Sequence, residues 1–329
     1  MPHDPAPHAP IRTAVVLELC RLFNRGPLAR YGAKNTSQTR TVETLIEDRT
    51  ATVPAYHALF SAFCDFTGQT VVELGCSRGY LLAEFLETTP FTAIGVDVDD
   101  QAMADGAARY GDKIRFVQSG VTSIPLPDAS CDIAYTVDVV EHLAEPSAIF
   151  GEIHRILRPA GRFLVYFHPW FGPYGAHLGD IIPFPWPHVF FSMDVLHQAA
   201  HQLYDQAADS ELAFHRIDPL TGKRKPNPYD GRWRHFLNPD MTIRGFRRFL
   251  RTTPFTVRHF QRVGFGGKTA PLAKLARPLA QVPLLDEFFT SGVFCVLEKA
   301  GSSATGGSEL QDSRGRLGGA PRVKDESVA

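Results

Sequence analysis

Val71-Val72-Glu73-Leu74-Gly75-Cys76-Ser77-Arg78-Gly79-Tyr80 runs an apolar strand into a tight glycine turn and then a helix, and Gly95-Val96-Asp97 answers it downstream. A second strand ending on a carboxylate roughly 20 residues after such a turn is the spacing of a nucleotide-binding βαβ unit. Gly75 and Gly79 have no Cβ, so the backbone can turn sharply there and a ligand can lie against it. Asp97, at the carboxyl end of its strand, can accept hydrogen bonds from two ribose hydroxyls.

Three ligands compete for this loop. A dinucleotide requires G-x-G-x-x-G, but Ser77 replaces the middle glycine and Tyr80 stands where the third belongs. Gly75-Cys76-Ser77-Arg78-Gly79 also reads as a G-x-S-x-G nucleophile elbow, yet it follows the first core strand and an acid precedes it directly. The third ligand is S-adenosylmethionine, which carries ribose and adenine but no phosphate, and so needs close backbone and carboxylates rather than a phosphate nest.

From Val71 to about Val165 the chain resembles the class I S-adenosylmethionine-dependent methyltransferases, in particular those with a type 11 methyltransferase domain. Glu73-Leu74-Gly75-Cys76-Ser77-Arg78-Gly79 is similar to that family's E/D-x-G-x-G-x-G motif, and Gly95-Val96-Asp97-Val98 to its second. Ile124-Pro125-Leu126-Pro127-Asp128, with Cys131-Asp132-Ile133-Ala134, resembles its L-P-F-P-D entry to a strand. Val140-Glu141-His142-Leu143 and Arg155-Ile156-Leu157-Arg158-Pro159-Ala160-Gly161 match its "EHL" and "R-x-L-K-P-G-G" segments.

The resemblance implies an α/β, Rossmann-like class I methyltransferase fold: a mostly parallel seven-stranded sheet with helices on both faces, plus an aromatic-rich cap insertion. It implies that Gly75, Ser77 and Gly79 line the methionine part of the cofactor. Glu73 would orient the loop and the amino group, Asp97 would hold the ribose, Val98 would flank the adenine, and Asp138 would sit beside the sulfonium. The chain departs from the family at Ser77, usually glycine, and at Ser119-Gly120, where many members have Gly-Asp. Gly120 has no carboxylate for the adenine amino group, so Ser119 or nearby backbone would have to substitute.

Segment boundaries follow from where these motifs stop. Residues 1–10 are rich in Pro and His and expected to be disordered, and 11–67 form a helical N-terminal region with Val15, Val16, Leu19 and Phe23 on one face. The βα core spans 68–165. Residues 254–299 supply the last strands, at Phe255–Arg262 and Thr290–Lys299, and 300–329 form a Gly/Ser-rich charged tail expected to be disordered. The stretch 166–253 is too long for a plain connection and is expected to be a cap over the carboxyl ends of the strands.

The first part of that stretch is dense in rings, and prolines and glycines interrupt them. Trp170, Trp186 and His188 are candidate substrate contacts, and Tyr174, with either tryptophan, could face a sulfonium by cation–π attraction. His177 is the first candidate for a general base, with His168 and His188 next; each could equally be a satisfied histidine of the cap. Ile243-Arg244-Gly245-Phe246-Arg247-Arg248-Phe249-Leu250 places apolar residues on one helical face and arginines on the other. That is either a solvated face or a dock, through Arg247 and Arg248, for an acidic carrier protein.

The formal net charge of −1 implies no global attraction to nucleic acid or membrane, and the five cysteines form no C-x-x-C pair, which argues against a metal site or disulfide framework. No apolar run reaches membrane-spanning length and the N-terminus lacks the build of a signal peptide, so a cytoplasmic location is expected. Three functions stay open. The first is methyl transfer to O, N or C of a small organic acceptor, with a specialised metabolite favoured. The second is a lyase on the same fold that forms a cyclic amino acid and methylthioadenosine. The third is a non-catalytic interaction protein.

Overall fold

The computed structural model describes residues 9–24, 50–209, 212, 216–218, 221–229, 237–264 and 277–301. In chain order the principal elements are α1 (Ala9–Phe23), α2 (Val53–Ser61), β1 (Thr70–Leu74), α3 (Tyr80–Thr88), β2 (Thr92–Asp97), α4 (Asp100–Tyr110), β3 (Ile114–Gln118), β4 (Cys131–Val137), α5 (Pro146–Ile156), β5 (Leu157–Phe167), α6 (Pro187–Phe190), α7 (Met193–Gln206), α8 (Ile243–Leu250), β6 (Phe255–Gly264), α9 (Asp286–Phe289) and β7 (Thr290–Lys299). The chain divides into two compact units: Met1–Arg49 with Trp170–His235, and Thr50–Pro169 with Phe236–Ala329.

The second unit holds one seven-stranded sheet in the order β3-β2-β1-β4-β5-β7-β6. Strands β1 to β5 run parallel, and β7 lies antiparallel between β5 and β6. This is the mostly parallel seven-stranded sheet expected from the motifs. The strand order reverses between β1 and β4, which opens a crevice at their carboxyl ends. Register brings Leu74 opposite Val96 and Thr136, Val137 opposite Tyr166, and Phe167 opposite Val293. Asp97, Asp138, His168 and the start of β7 therefore share one edge of the sheet.

Side chains alternate across the sheet with the period of two that strands impose. Val72, Leu74, Ala134 and Val165 pack on one face with Ile149, Phe150 and Ile153 of α5 and Ile243, Phe246 and Leu250 of α8. Val71, Ile133, Tyr135 and Leu164 pack on the other with Tyr56 and Phe60 of α2 and Leu82 and Phe85 of α3. Parallel strands covered on both faces account for the near-continuous apolar runs read in the sequence.

Two side chains tie helix ends into this unit. The buried Glu287 carboxylate accepts the Ile243 and Arg244 N–H groups at 2.9 and 2.8 Å, at the N-terminus of α8. Lys299 Nζ donates to the carbonyls of His154 and Leu157, both at 2.7 Å, at the C-terminus of α5. Both satisfy groups that a helix end leaves without an internal partner. Arg247 of α8 lies over the Phe260 ring, 4.5 Å from its centroid, and Arg248 is exposed.

In the first unit α1 packs through Val16 and Cys20 against a cluster that includes Leu178, Ile182, Phe184, Leu196 and Ala199. Thr13 Oγ1 donates to Gln198 Oε1 at 3.1 Å. The buried stripe is thus Thr13, Val16 and Cys20, and Val15 is exposed rather than on the inner face expected for it. Arg216 pairs with Asp180 at 2.7 Å and donates to the Tyr229 hydroxyl. Of the stretch 166–253, β5 takes the first residues, Trp170–His235 belong to this unit, and α8 packs into the sheet core. Most of the segments expected to be disordered, 1–10 and 300–329, lie outside the described residues.

Candidate functional site

Gly75 and Gly79 have φ of 78° and 75°, the left-handed region that glycine enters without a Cβ penalty. A Cβ on Gly75 would come within 2.2 Å of Val139 Cγ2, and one on Gly79 within 2.8 Å of the Phe116 ring. The turn therefore closes only with glycine at these points. Ser77 lies between them at φ 48°, so it holds with a side chain a conformation that glycine would hold without strain. Arg78 is turned onto α4, where Nε and Nη2 both donate to Asp105 Oδ2 at 3.0 and 2.8 Å.

Asp97 binds this loop from the end of β2. Its Oδ2 accepts the Ser77 N–H at 2.7 Å and its Oδ1 accepts the Asp99 N–H at 3.0 Å. Each carboxylate oxygen keeps further lone-pair capacity, so both can still receive a ligand hydroxyl. Beside it Val98 is 55% exposed, an apolar side chain held at the open edge of the sheet. Ser119 donates its N–H to the Asp97 carbonyl at 2.8 Å, and the Gly120 N–H donates to the Ser123 carbonyl at 2.9 Å. Glu73 is buried at the end of β1. The glycine turn thus ends beside a carboxylate with spare acceptor capacity and an exposed apolar side chain.

The neighbouring strand ends carry charge. Asp138 follows β4 with φ 56°, and its N–H donates to the Tyr166 carbonyl at 3.0 Å. His168 Nδ1 contacts the Ser291 carbonyl, and its Nε2 lies 3.4 Å from Asp138 Oδ1. The His168 N–H donates to Glu141 Oε1 at 3.1 Å. Burial favours neutral His168, but the Asp138 and Glu141 charges and the Ser291 carbonyl outweigh it and raise its pKa. Burial raises Glu141 as well, opposed by His168 and His142. Tyr56 of α2 is raised by burial and then by Asp138, Tyr166 and Glu141. The motifs assign no site role to Glu141, Tyr56 or Ser291, and Tyr166, expected among the rings of the cap, stands on β5. The one sequence signal for Glu141 is the "EHL" segment that contains it.

The remaining candidates lie in the first unit. His188 Nε2 donates to the Trp170 carbonyl at 2.6 Å, and its ring meets the Trp170 ring edge-on, 5.1 Å between centroids. Burial lowers the His188 pKa; the Trp170 carbonyl opposes this and the His177 charge adds to it. His177 has φ 51° and donates its N–H to the Tyr174 carbonyl at 2.9 Å. Trp186 has φ 57° and donates its N–H to the Pro173 carbonyl at 2.9 Å. Burial raises the Tyr174 hydroxyl. The structure thus brings Trp170 and His188 together, and His177 with Tyr174, within one unit, while His168 belongs to the sheet unit.

Residues 72–165 match the sequence model of a family described as Methyltransferase domain. An uncharacterized methyltransferase of Mycobacterium sp. (strain KMS) is 29% identical over 167 residues, which are 50% of this chain and 60% of the relative. A probable S-adenosylmethionine-dependent methyltransferase of Mycolicibacterium smegmatis is 37% identical over 98 residues, 30% of this chain and 37% of the relative. The chain thus spans 60% or less of the length of these relatives. The crystal structure of an S-adenosylmethionine-dependent methyltransferase from Mesorhizobium loti aligns with a TM-score of 0.45 at 17% identity, over 78% of this chain and all of that one. Through residues 72–165, then, the chain is similar to the family described as Methyltransferase domain and, in part, to probable S-adenosylmethionine-dependent methyltransferases.

Proposed function

We propose that the protein transfers the methyl group of S-adenosylmethionine to an oxygen, nitrogen or carbon atom of a small organic acceptor, with a specialised metabolite as its class. The observation that carries this reading is the Gly75–Gly79 loop, which is left-handed at Gly75, Ser77 and Gly79 and fastened to Asp97 through the Ser77 N–H. The bound cofactor supplies an electrophilic methyl carbon whose bond to sulfur breaks as the acceptor's bond forms. The chain's own task is to hold, orient and keep water out.

Gly75, Ser77 and Gly79 receive the methionine part in this reading. Asp97 receives the ribose hydroxyls, Val98 and Ser119 border the adenine, and Glu73 orients the amino end. Trp170, Trp186 and His188 are assigned to the acceptor, and His177, Tyr174 and His168 to proton handling or to the sulfonium face. His188 Nδ1 supports such a role, because it is buried and accepts no hydrogen bond among the described residues. Docking of an acidic carrier protein on α8 rests on Arg248, since Arg247 is already engaged with Phe260.

Incubating the purified chain with S-adenosylmethionine and candidate acceptors, then identifying the nucleoside product, tests the reading. S-adenosylhomocysteine formed only with an acceptor supports it. Methylthioadenosine formed without any acceptor would replace it with the lyase, and absence of binding heat would leave an interaction protein.

A further inference from the structure

The loop after β1 and the charged cluster after β4 touch. A side chain on Gly75 would strike Val139, the residue next to Asp138. Leu74 pairs with Thr136, so Gly75 and Asp138 leave neighbouring strand ends, and a ligand resting on those ends lies beside Asp138, whose side chain is 41% exposed. Behind that carboxylate stands the His168 ring, 17% exposed, with one nitrogen on the Ser291 carbonyl and the other facing Asp138. Both ring nitrogens face acceptors, an arrangement satisfied in full only by the doubly protonated ring.

The groups on this ring, and those coupled to them, come from several elements. They are Asp138 after β4, Glu141 and His142 in the turn that follows, Tyr166 on β5, Tyr56 on α2 and the Ser291 carbonyl on β7. Asp138 and Glu141 favour the protonated ring, and burial holds the Tyr56 hydroxyl towards its neutral form. A second cation placed against Asp138 would compete for the same carboxylate and repel the ring, so the proton on His168 becomes easier to lose.

We propose that the Asp138–His168 pair links the charge of the bound cofactor to one proton: the cationic S-adenosylmethionine expels a proton from His168, and the neutral S-adenosylhomocysteine lets it return. The proposal rests on the methyltransferase reading and deepens it. S-adenosylmethionine carries a sulfonium and its demethylated product a neutral thioether, so the two ligands differ in charge at the atom that matters. A ring emptied by the first and refilled in the presence of the second is a base available before transfer and an acid after it. An acceptor that gives up a proton from its nucleophile, a hydroxyl or an amine, matches that cycle. The proton leaving the acceptor is the one the ring takes up, passed through the Asp138 carboxylate that stands in front of its Nε2.

The test is calorimetric titration of the full chain with S-adenosylmethionine and with S-adenosylhomocysteine, each in buffers of different ionisation heat, from neutral to mildly alkaline pH. S-adenosylmethionine is expected to release a fraction of a proton and S-adenosylhomocysteine none. The ratio of their affinities should favour S-adenosylmethionine increasingly as pH rises, by at most about tenfold per unit. His168→Gln should abolish both the proton release and the pH dependence while still binding both ligands. Should that variant not fold, the ring carbons of His168 can be titrated by NMR in the native chain: the midpoint should fall with S-adenosylmethionine and not with S-adenosylhomocysteine. Equal proton counts for the two ligands, an unmoved midpoint, or a pH-dependent ratio surviving in His168→Gln overturns the proposal alone. Failure of both ligands to bind overturns the methyltransferase reading and the proposal with it.

Discussion

The Gly75–Gly79 loop and the Asp138–His168 cluster lie on the same sheet edge, yet they are made of different material. The loop is shaped by backbone: left-handed dihedrals, absent Cβ atoms and a single carboxylate that accepts an N–H. The cluster is shaped by side chains from the ends of β4 and β5, the turn between them and the start of β7. A backbone-built grip tolerates few substitutions. A side-chain-built cluster can be retuned residue by residue, and it titrates.

Gly75→Ala would test the first half of that contrast most severely. A methyl group 2.2 Å from Val139, on a backbone at φ 78°, should cost about 2–4 kcal/mol through overpacking and left-handed strain and abolish S-adenosylmethionine binding. Thermal melting and calorimetry read the two effects separately, and near-native binding in the variant would show that the loop is softer than its dihedrals imply. Asp97→Ala comes next. It frees two backbone N–H groups and, on the proposed function, removes the ribose contact, so affinity should fall on the order of 100-fold. Retained affinity would move the ribose elsewhere.

Glu287→Ala separates scaffold from site. It uncaps α8 and should cost about 1–2 kcal/mol in stability while leaving cofactor affinity unchanged. A matching loss of affinity would tie α8 to the ligand edge. Glu152 gives a pH test away from the site. Hydrogen bonding from Arg155 pulls its carboxyl from 4.5 down to about 2. A carboxyl lowered by folding adds stability that is fully present above the ordinary value and lost as pH falls through the lowered one. Melting temperature should therefore drop across that acid window, and Glu152→Gln should flatten the drop by an amount equivalent to about 1 kcal/mol after discounting for partial exposure. Ser77→Gly has the smallest effect: release of left-handed strain should raise stability by up to about 1 kcal/mol. A lower melting temperature would instead assign the Ser77 side chain a contact that outweighs its strain.

What the sequence disclosed follows the same division. The loop, Asp97 and the strand pairs were legible because glycine spacing and alternating apolar runs are local patterns. The helix at Ile243–Leu250 was legible as amphipathic, but which core it joined was not, because nothing local shows that Glu287 caps it from beyond β6. On α1, Val15 and Val16 are adjacent and both apolar, and only packing decides that Val16 turns inward. The charged cluster was the least visible part. Asp138, Glu141, His168 and Ser291 are scattered along the chain and meet only through the register of β4, β5 and β7.

That last strand has a consequence for synthesis. A nascent polypeptide extended as far as Phe167 already contains the Gly75–Gly79 loop and Asp97, yet the carbonyl that anchors the imidazole arrives only when Ser291 has left the ribosome. Chains cut short before β7 would keep the residues of that loop and lose the anchor of the His168 ring.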